Sequence, residues 1–262
     1  MLRDPWSNAL RVCAEMFTVA ERDALGTRLL DHAREDPHVV AAAITGSGAA
    51  GSEDAFSDID LSFGIADGVA IDEVMARWAD VLEGQFDAIH HWDLPFGPTI
   101  FRVFLLASGL QVDIAFTPAA KFGAYGPNFR PVFGEHFDRE PDPPPSGEQL
   151  VGLAWLFVVH AGRCIERDKS WQAENMIGAA RNRVLEMACV RLGLPHAYGR
   201  GVDRLPTDVK AALEPALARS LEPDELRRAL RALAAALLQE VRAFDAELAE
   251  RLSGPIEEAS GH

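Results

Sequence analysis

The sequence predicts an α+β protein, with a mixed β-sheet flanked by helices in its N-terminal part and a helical bundle in its C-terminal part. Three features of the 262-residue chain lead to this prediction. Short apolar runs bounded by turn residues, typical of strands, recur between residues 39 and 116. A segment rich in proline and glycine then extends from Thr117 to Gly147. Beyond it, the long segments have the apolar periodicity of helices.

The N-terminal part begins with a predicted helix over residues 7–34, where apolar residues recur at helical spacing. A run from Val39 to Ile44, with β-branched residues, predicts the first strand, which leads into a Thr-Gly-Ser turn and a short helix. The next strand is expected from Asp58 to Ile65, where a following Asp-Gly pair ends it. The remaining elements are a helix over 71–82, strands over 86–92 and 99–106, and a hairpin through Ser108-Gly109 into a strand over 111–116.

The domain boundary is predicted within the stiff run Pro141-Asp-Pro-Pro-Pro-Ser, which is unfavourable for a helix. It separates residues 1–140 from residues 141–262. In the second domain, Glu222-Pro223-Asp224-Glu225 has the proline and acidic residues of a helix start. Residues 253–262 are expected to be frayed. Four helices are predicted there, over 148–167, 170–193, 206–219 and 223–252.

The composition indicates a globular protein, because 48% of the residues are hydrophobic. The formal net charge is −15 and the pI is about 4.9. No cluster of Lys and Arg stands out, so the composition argues against a nucleic acid partner. The negative charge favours a cationic small-molecule acceptor, although the same surplus is also typical of a solubilising surface.

The cysteines indicate a reducing compartment and therefore a cytoplasmic location. Cys13, Cys164 and Cys189 form no C-x-x-C pair, so neither a zinc site nor a disulfide framework is expected. The first residues lack the basic patch and apolar run of a secretion signal. The longest apolar run, over 150–159, is far shorter than the ~20 residues that cross a bilayer, so no membrane partner is expected.

The candidate site begins at Gly46-Ser47 and continues in Asp58-Ile59-Asp60. Residues two apart on a strand point to the same face, so Asp58 and Asp60 are expected side by side. Asp113, in a second strand with apolar neighbours, becomes a third ligand if the two strands are adjacent. Converging carboxylates suit Mg²⁺ and a metal-assisted phosphoryl transfer. A solvated edge strand and a plain turn are the alternative. The glycines fit neither a Walker loop nor a Rossmann fingerprint.

Gly46-Ser47, ten intervening residues, Asp58-x-Asp60 and Asp113 resemble the nucleotidyltransferase superfamily that shares the DNA polymerase β palm, and especially its antibiotic-modifying branch. The resemblance covers roughly residues 40–116. It implies a palm-like first domain, a C-terminal helical bundle, and transfer of a nucleoside monophosphate, AMP from ATP, to a hydroxyl of a small molecule such as an aminoglycoside. The three aspartates would hold Mg²⁺. Ser47 and the backbone N–H groups after Gly46 would hold the phosphates.

Other functions in reach of this resemblance are a protein-modifying, antitoxin-type transferase and a nucleotide-binding regulator without activity. The general base is predicted as Glu174, on a helix of the second domain, since some relatives supply a base from outside the palm. Asp93 in the first domain is the alternative. Arg181 lies two helical turns after Glu174 and therefore on the same face of the helix. Arg181 or Arg183 is expected to reach the triphosphate if that face lines the site. Surface pairing with Glu186 is the alternative.

Several further side chains have a functional and a structural interpretation. Adjacent histidines on a strand point to opposite faces, so a structural role is favoured for His90 and His91 over a double metal ligand. Core packing is favoured for at least two of three tryptophans, with stacking on a base or sugar as the alternative. The tryptophans are Trp92, Trp155 and Trp171, and the residues that can cap the site after the Asp113 strand are Lys121, Tyr125 and Arg130.

Overall fold

A computed structural model describes residues 17–124, 126, 128–138 and 143–261. The predicted helical residues 7–16, Cys13 and Tyr125 lie outside the described residues. The chain divides into two compact units, one up to residue 142 and one from residue 143 onward.

The first unit is a six-stranded sheet in the order β3-β4-β5-β2-β1-β6. Strands β2 and β5 are parallel, and every other neighbouring pair is antiparallel. The predicted α+β class with a mixed sheet is therefore confirmed. The elements are α1 (Val19–Glu35), β1 (Val39–Thr45), α2 (Gly46–Ala50), β2 (Ile59–Ile65), α3 (Ile71–Gln85), β3 (Ala88–Phe96), β4 (Thr99–Leu106), β5 (Gln111–Pro118) and β6 (Phe129–Phe133).

The two faces of this sheet differ because side chains alternate along each strand. On β2 and β5 the apolar residues at alternate positions are buried in one hydrophobic cluster that also contains Trp78 of α3. Asp60 and Asp113 occupy the intervening positions, so they lie on the opposite face. The apolar residues of β2 and β5 in the cluster are Ile59, Leu61, Phe63, Ile65, Val112, Ile114 and Phe116.

Hydrogen bonds anchor the buried indole of Trp78 at the end of α1. Its Nε1 donates to Asp36 Oδ2 at 3.1 Å, and the backbone N–H of His38 donates to Asp36 Oδ1 at 2.9 Å. Burial acts to raise the pKa of Asp36, but the hydrogen bonds from His38 and Trp78 outweigh burial and hold the pKa below its ordinary value. The ionised carboxylate therefore contributes to the stability of this unit.

Strands β3 and β6 differ most from the sequence prediction. The predicted third strand begins at 86, whereas β3 begins at Ala88, because the N–H of Phe86 still bonds the Leu82 carbonyl at the end of α3. Strand β6 was missed altogether, since it lies in the segment rich in proline and glycine. It pairs only with β1, at the edge of the sheet. An edge strand accommodates Pro131, which has no N–H for a second neighbour.

The second unit is helical, as predicted. Ser146 begins its first helix, because its hydroxyl accepts the N–H of Gln149. Alternating small and large apolar residues of these helices form one buried cluster. Within the described residues, no helix is both long and apolar enough to span a membrane. The helices are α4 (Gly147–Ile165), α5 (Ser170–Arg191), α6 (Thr207–Leu213), α7 (Pro223–Phe244) and α8 (Ala246–Ser260).

The predicted single helix over 223–252 is wrong, because the chain breaks at Asp245. This residue is extended, with φ −153° and ψ 102°, and its carboxylate accepts the N–H of Leu248 at 2.9 Å to begin α8. The prediction of a frayed tail is also wrong for residues 253–260. Ile256 and Ala249 of α8 are buried in the hydrophobic cluster, which stabilises the helix despite Pro255 within it.

Candidate active site

The three aspartates indicated by the sequence come together at the start of β2. Asp60 and Asp113 are directly paired across the parallel strands β2 and β5, and Asp58 is the residue before β2 begins. One carboxylate oxygen from each of Asp58, Asp60 and Asp113 lies within 4.8 Å of the other two. The condition set by the sequence, that the two strands be neighbours, is met. The arrangement matches a site for one or more divalent cations.

The electrostatics of the cluster also favour a bound cation. Burial and the nearby charge of Asp58 raise the pKa of Asp113 to about 6, although a 2.9 Å hydrogen bond from Gln111 Nε2 acts against that rise. Half-buried carboxylates at this spacing repel one another when all are ionised. A divalent cation among them would relieve both the repulsion and the cost of burial.

Gly46 brings backbone directly against this cluster. Its φ is +58°, in the left-handed region that favours glycine, and a Cβ built on it would overlap Oδ2 of Asp60. The turn into α2 therefore depends on glycine for its conformation and for the space that the carboxylate occupies. The backbone at Gly46 therefore lies directly against one of the three aspartates.

Ser47 carries the second signal of a bound polar group. Its hydroxyl oxygen is buried and has no hydrogen-bond partner in the described part of the chain. A buried hydroxyl without a partner is costly, and such groups in native proteins call for an explanation such as a ligand or ion. Ser47 follows Gly46 directly, so the unpaired hydroxyl lies in the turn that contacts Asp60.

A buried arginine that the sequence analysis missed supports the loop before Asp58. Arg22 of α1 is 3% exposed and donates a 2.6 Å hydrogen bond to the carbonyl of Asp54. Its guanidinium also pairs with Asp23 at 2.9 Å. Because 32 positions separate Arg22 from Asp54, no local pattern in the sequence indicates the contact. Arg22 thus fixes the loop that leads into the first aspartate.

Beside Asp58 and Asp60 lies a cavity of about 190 Å³ with Arg22 and Arg130 in its walls. Arg130 is on β6, and its Nη2 lies 3.5 Å from the carbonyl oxygen of Gly48 in the turn. Arg22 is already paired with Asp23 and Glu53, so Arg130 is the cationic side chain of this wall that is suited to an anionic substrate group. Among the residues that the sequence suggested for capping the site, Arg130 lines this cavity.

The remaining candidates of the first unit divide between the two faces of the sheet. Lys121 is exposed in a 3₁₀ turn after β5. His91 packs on the ring of Phe104, with ring centroids 5.7 Å apart, whereas His90 is exposed. The two imidazole rings stack with centroids 6.4 Å apart, and the contact with Phe104 agrees with a structural role for His91.

Asp93, the alternative base, lies on the face of the sheet opposite to the three aspartates. It pairs with Arg102, which donates to both of its carboxylate oxygens at 2.6 and 2.7 Å and to the carbonyl of Met75 on α3. The hydrogen bonds from Arg102 hold the pKa of Asp93 below its ordinary value. Its neighbour Trp92 instead falls in the register row that leads across β4 to Asp113. Asp93 therefore points away from the aspartate cluster.

Glu174 and Arg181, both on α5, are half-exposed residues of the second unit. Arg181 donates a 3.4 Å hydrogen bond to the carbonyl of Ala216. The ion pair that the sequence offered as an alternative is formed by Arg183 with Glu186, at 2.7 Å. The roles of Glu174 as base and Arg181 as phosphate ligand stay predictions.

Core packing of two of the three selected tryptophans is wrong. Trp92, Trp155 and Trp171 are 62%, 38% and 79% exposed. Among the tryptophans of the described residues, the fully buried one is Trp78, whose position on the inner face of α3 puts it in the core.

The sequence matches no protein-family profile and no curated protein. The solved structures that are similar include an aminoglycoside 6-adenyltransferase from Bacillus subtilis, at 12% sequence identity and a TM-score of 0.41. The similarity covers 89% of this chain and 96% of that one. A TM-score this low supports no inference about activity, so the function is argued from the site itself.

Proposed function

We propose that this protein is a Mg²⁺-dependent nucleotidyltransferase that moves a nucleoside monophosphate, AMP from ATP, onto a hydroxyl of a small molecule. The observation that carries the proposal is the convergence of Asp58, Asp60 and Asp113, with carboxylate oxygens within 4.8 Å of one another. The unpaired Ser47 hydroxyl and the close approach of Gly46 support it independently.

The residues present fit Mg²⁺, because the donors are hard carboxylate oxygens whose mutual repulsion a cation relieves. Asp58, Asp60 and Asp113 would hold the metal. Bound there, it would supply positive charge to offset the triphosphate and to polarise the attacking hydroxyl.

The chain's own groups account for binding of the nucleotide. The Ser47 hydroxyl and the backbone N–H groups after Gly46 would donate hydrogen bonds to phosphate oxygens, since glycine lets the backbone approach closely. Arg130, in the wall of the adjoining cavity, adds a cationic donor for the same group. Arg181 is a further proposed phosphate ligand, from the second unit.

We assign the general base to Glu174, which would accept the proton of the acceptor hydroxyl as its oxygen attacks the α-phosphorus and pyrophosphate departs. The orientation of Asp93 supports the assignment, because its carboxylate faces away from the three aspartates and is held by Arg102. The net charge of −15 favours an acceptor with positive charge, such as an aminoglycoside antibiotic. The cysteine spacing, which indicates a reducing compartment, agrees with a cytoplasmic enzyme.

The test is Mg²⁺-dependent release of pyrophosphate from ATP with a panel of hydroxyl acceptors. Asp58→Ala and Asp60→Ala should abolish release and leave the circular dichroism spectrum unchanged, because neither side chain is in the hydrophobic cluster. Asp67→Ala, which removes an exposed acid in the turn after β2, is the matched control and should retain full activity. If Asp58→Ala or Asp60→Ala were as active as Asp67→Ala, the proposal would be refuted.

A further inference from the structure

The face of the sheet that carries the aspartates continues into an exposed apolar surface on β3 and β4. Trp92, Leu94 and Leu105 are 62%, 49% and 43% exposed, and Phe101 and Val103 are half-buried. Because side chains alternate, these five residues all point to the same side of the two strands. We call them the apolar strip. Contiguous exposed apolar surface on a globular protein marks a binding surface.

The strip is continuous with the aspartate cluster through the register of the sheet. Trp92 pairs with Val103 on β4, and Val103 pairs with Asp113 on β5. Asp113 in turn pairs with Asp60 on β2. Neighbouring strands lie about 4.8 Å apart, so Trp92 is about 10 Å from Asp113 along this row. A small molecule whose hydroxyl lies at the aspartates spans that distance.

The chemistry of the strip favours an apolar occupant. Every residue of β3 and β4 is described, and Asp93 is the one acidic residue among them. It points to the other face of the sheet, where it pairs with Arg102. His90 is the titratable side chain on the same face as the strip. An aromatic ring can stack on Trp92 and cover Val103.

We propose that the apolar strip binds an apolar, ring-containing part of the acceptor, so that the substrate is an amphipathic alcohol with its reacting hydroxyl about 10 Å from that part. This inference rests on the proposed function, because it takes the aspartates as the point of transfer. It narrows the acceptor class beyond what net charge indicates: positive charge on the acceptor must lie away from the strip.

The test measures binding and turnover of two matched acceptor sets by the ATP-loaded protein with Mg²⁺. Phenyl and naphthyl β-glucosides are the apolar probes, glucose is their control, and kanamycin is the polycationic probe. Isothermal titration calorimetry gives Kd for each probe and for ATP, and pyrophosphate release gives turnover. Both glucosides should bind more tightly than glucose, with the naphthyl compound the tighter of the two.

Trp92→Ala should weaken naphthyl glucoside binding about tenfold and leave the Kd for ATP unchanged. Trp92→Phe should restore most of the binding, because a ring remains. Phe244→Ala, at an exposed position at the end of α7, is the matched control and should behave as wild type. Leu94→Glu adds a carboxylate to the strip and should shift preference from the glucosides to kanamycin.

The inference is overturned if the aryl glucosides bind no better than glucose, or if Trp92→Ala binds them as wild type does. It is also overturned if sedimentation shows a dimer that Trp92→Ala dissociates, because a second copy then covers the strip. All three results leave Mg²⁺-dependent ATP binding intact. Loss of that binding in the wild-type protein would instead overturn the proposed function, and with it the assignment of the strip to an acceptor.

Discussion

Replacing Gly46 by alanine tests whether this residue holds the aspartate cluster in shape. Gly46 has a φ of +58°, and an ideal Cβ there would lie 2.6 Å from Cγ of Asp60. Carbon atoms rest about 3.5–4.0 Å apart, so the carboxyl group would have to move by about 1 Å. A displacement of that size in a catalytic group costs about 100-fold in rate.

The chain provides a matched control five positions later. Gly51 has a φ of +63°, and nothing lies within 4 Å of a Cβ built on it. Alanine in the left-handed region costs about 1–2 kcal/mol at either position, so both variants should lose that amount in the free energy of unfolding. Only Gly46→Ala disturbs Asp60.

Urea unfolding and Mg²⁺-dependent pyrophosphate release measure the two effects separately. We expect Gly51→Ala to keep its rate within about twofold and Gly46→Ala to fall about 100-fold, with a higher Mg²⁺ requirement. Equal rates in the two variants would refute the reasoning, since backbone strain would then account for everything. A normal rate in Gly46→Ala would show that Asp60 does not act at this place.

Three other changes give separate tests. Asp113→Asn should still bind ATP but lose rate by orders of magnitude, because the metal loses a charged ligand. It should lose nothing in the free energy of unfolding, because a neutral amide relieves the charge repulsion. Equal losses in ATP affinity and in rate would indicate a binding role for Asp113. Glu174→Gln should lower kcat by about 10²–10⁴ with little change in the KM for ATP, and it should flatten the acidic limb of the pH profile of the rate. Asp93→Asn should instead keep kcat and lose about 1–3 kcal/mol in the free energy of unfolding, because Arg102 loses its partner. If Asp93→Asn lost kcat and Glu174→Gln did not, the base would belong to the first unit. The pKa of Asp36 is lowered on folding, so its stabilising effect is present above about pH 4, the pKa of an unfolded aspartate, and disappears as the pH falls below that value. The free energies of unfolding of wild type and Asp36→Asn, measured in urea, should therefore become equal in acid. A difference that stays constant with pH would contradict a role for the ionised carboxylate.

The order of elements and the candidate metal ligands were predictable because both rest on local patterns. Alternation around Asp58-Ile59-Asp60 and around Asp113 assigns one face to each carboxylate, whatever surrounds the strands. The ends of some elements were not predictable. The break at Asp245 depends on a side-chain hydrogen bond to Leu248, and strand β6 depends on an edge of β1 that only the assembled sheet provides.

By itself the sequence determined the α+β class, the two parts of the chain and the three aspartates, because periodicity and spacing act over a few residues. The tertiary structure alone decided which strands are neighbours, and therefore that Asp113 pairs with Asp60 and that Asp93 faces away. It also decided that Arg22 supports the loop before Asp58 and that Trp92 is exposed in the row of Asp113. Such contacts join residues far apart in the chain, and the cost of closing those loops is repaid only when the whole sheet packs on its core.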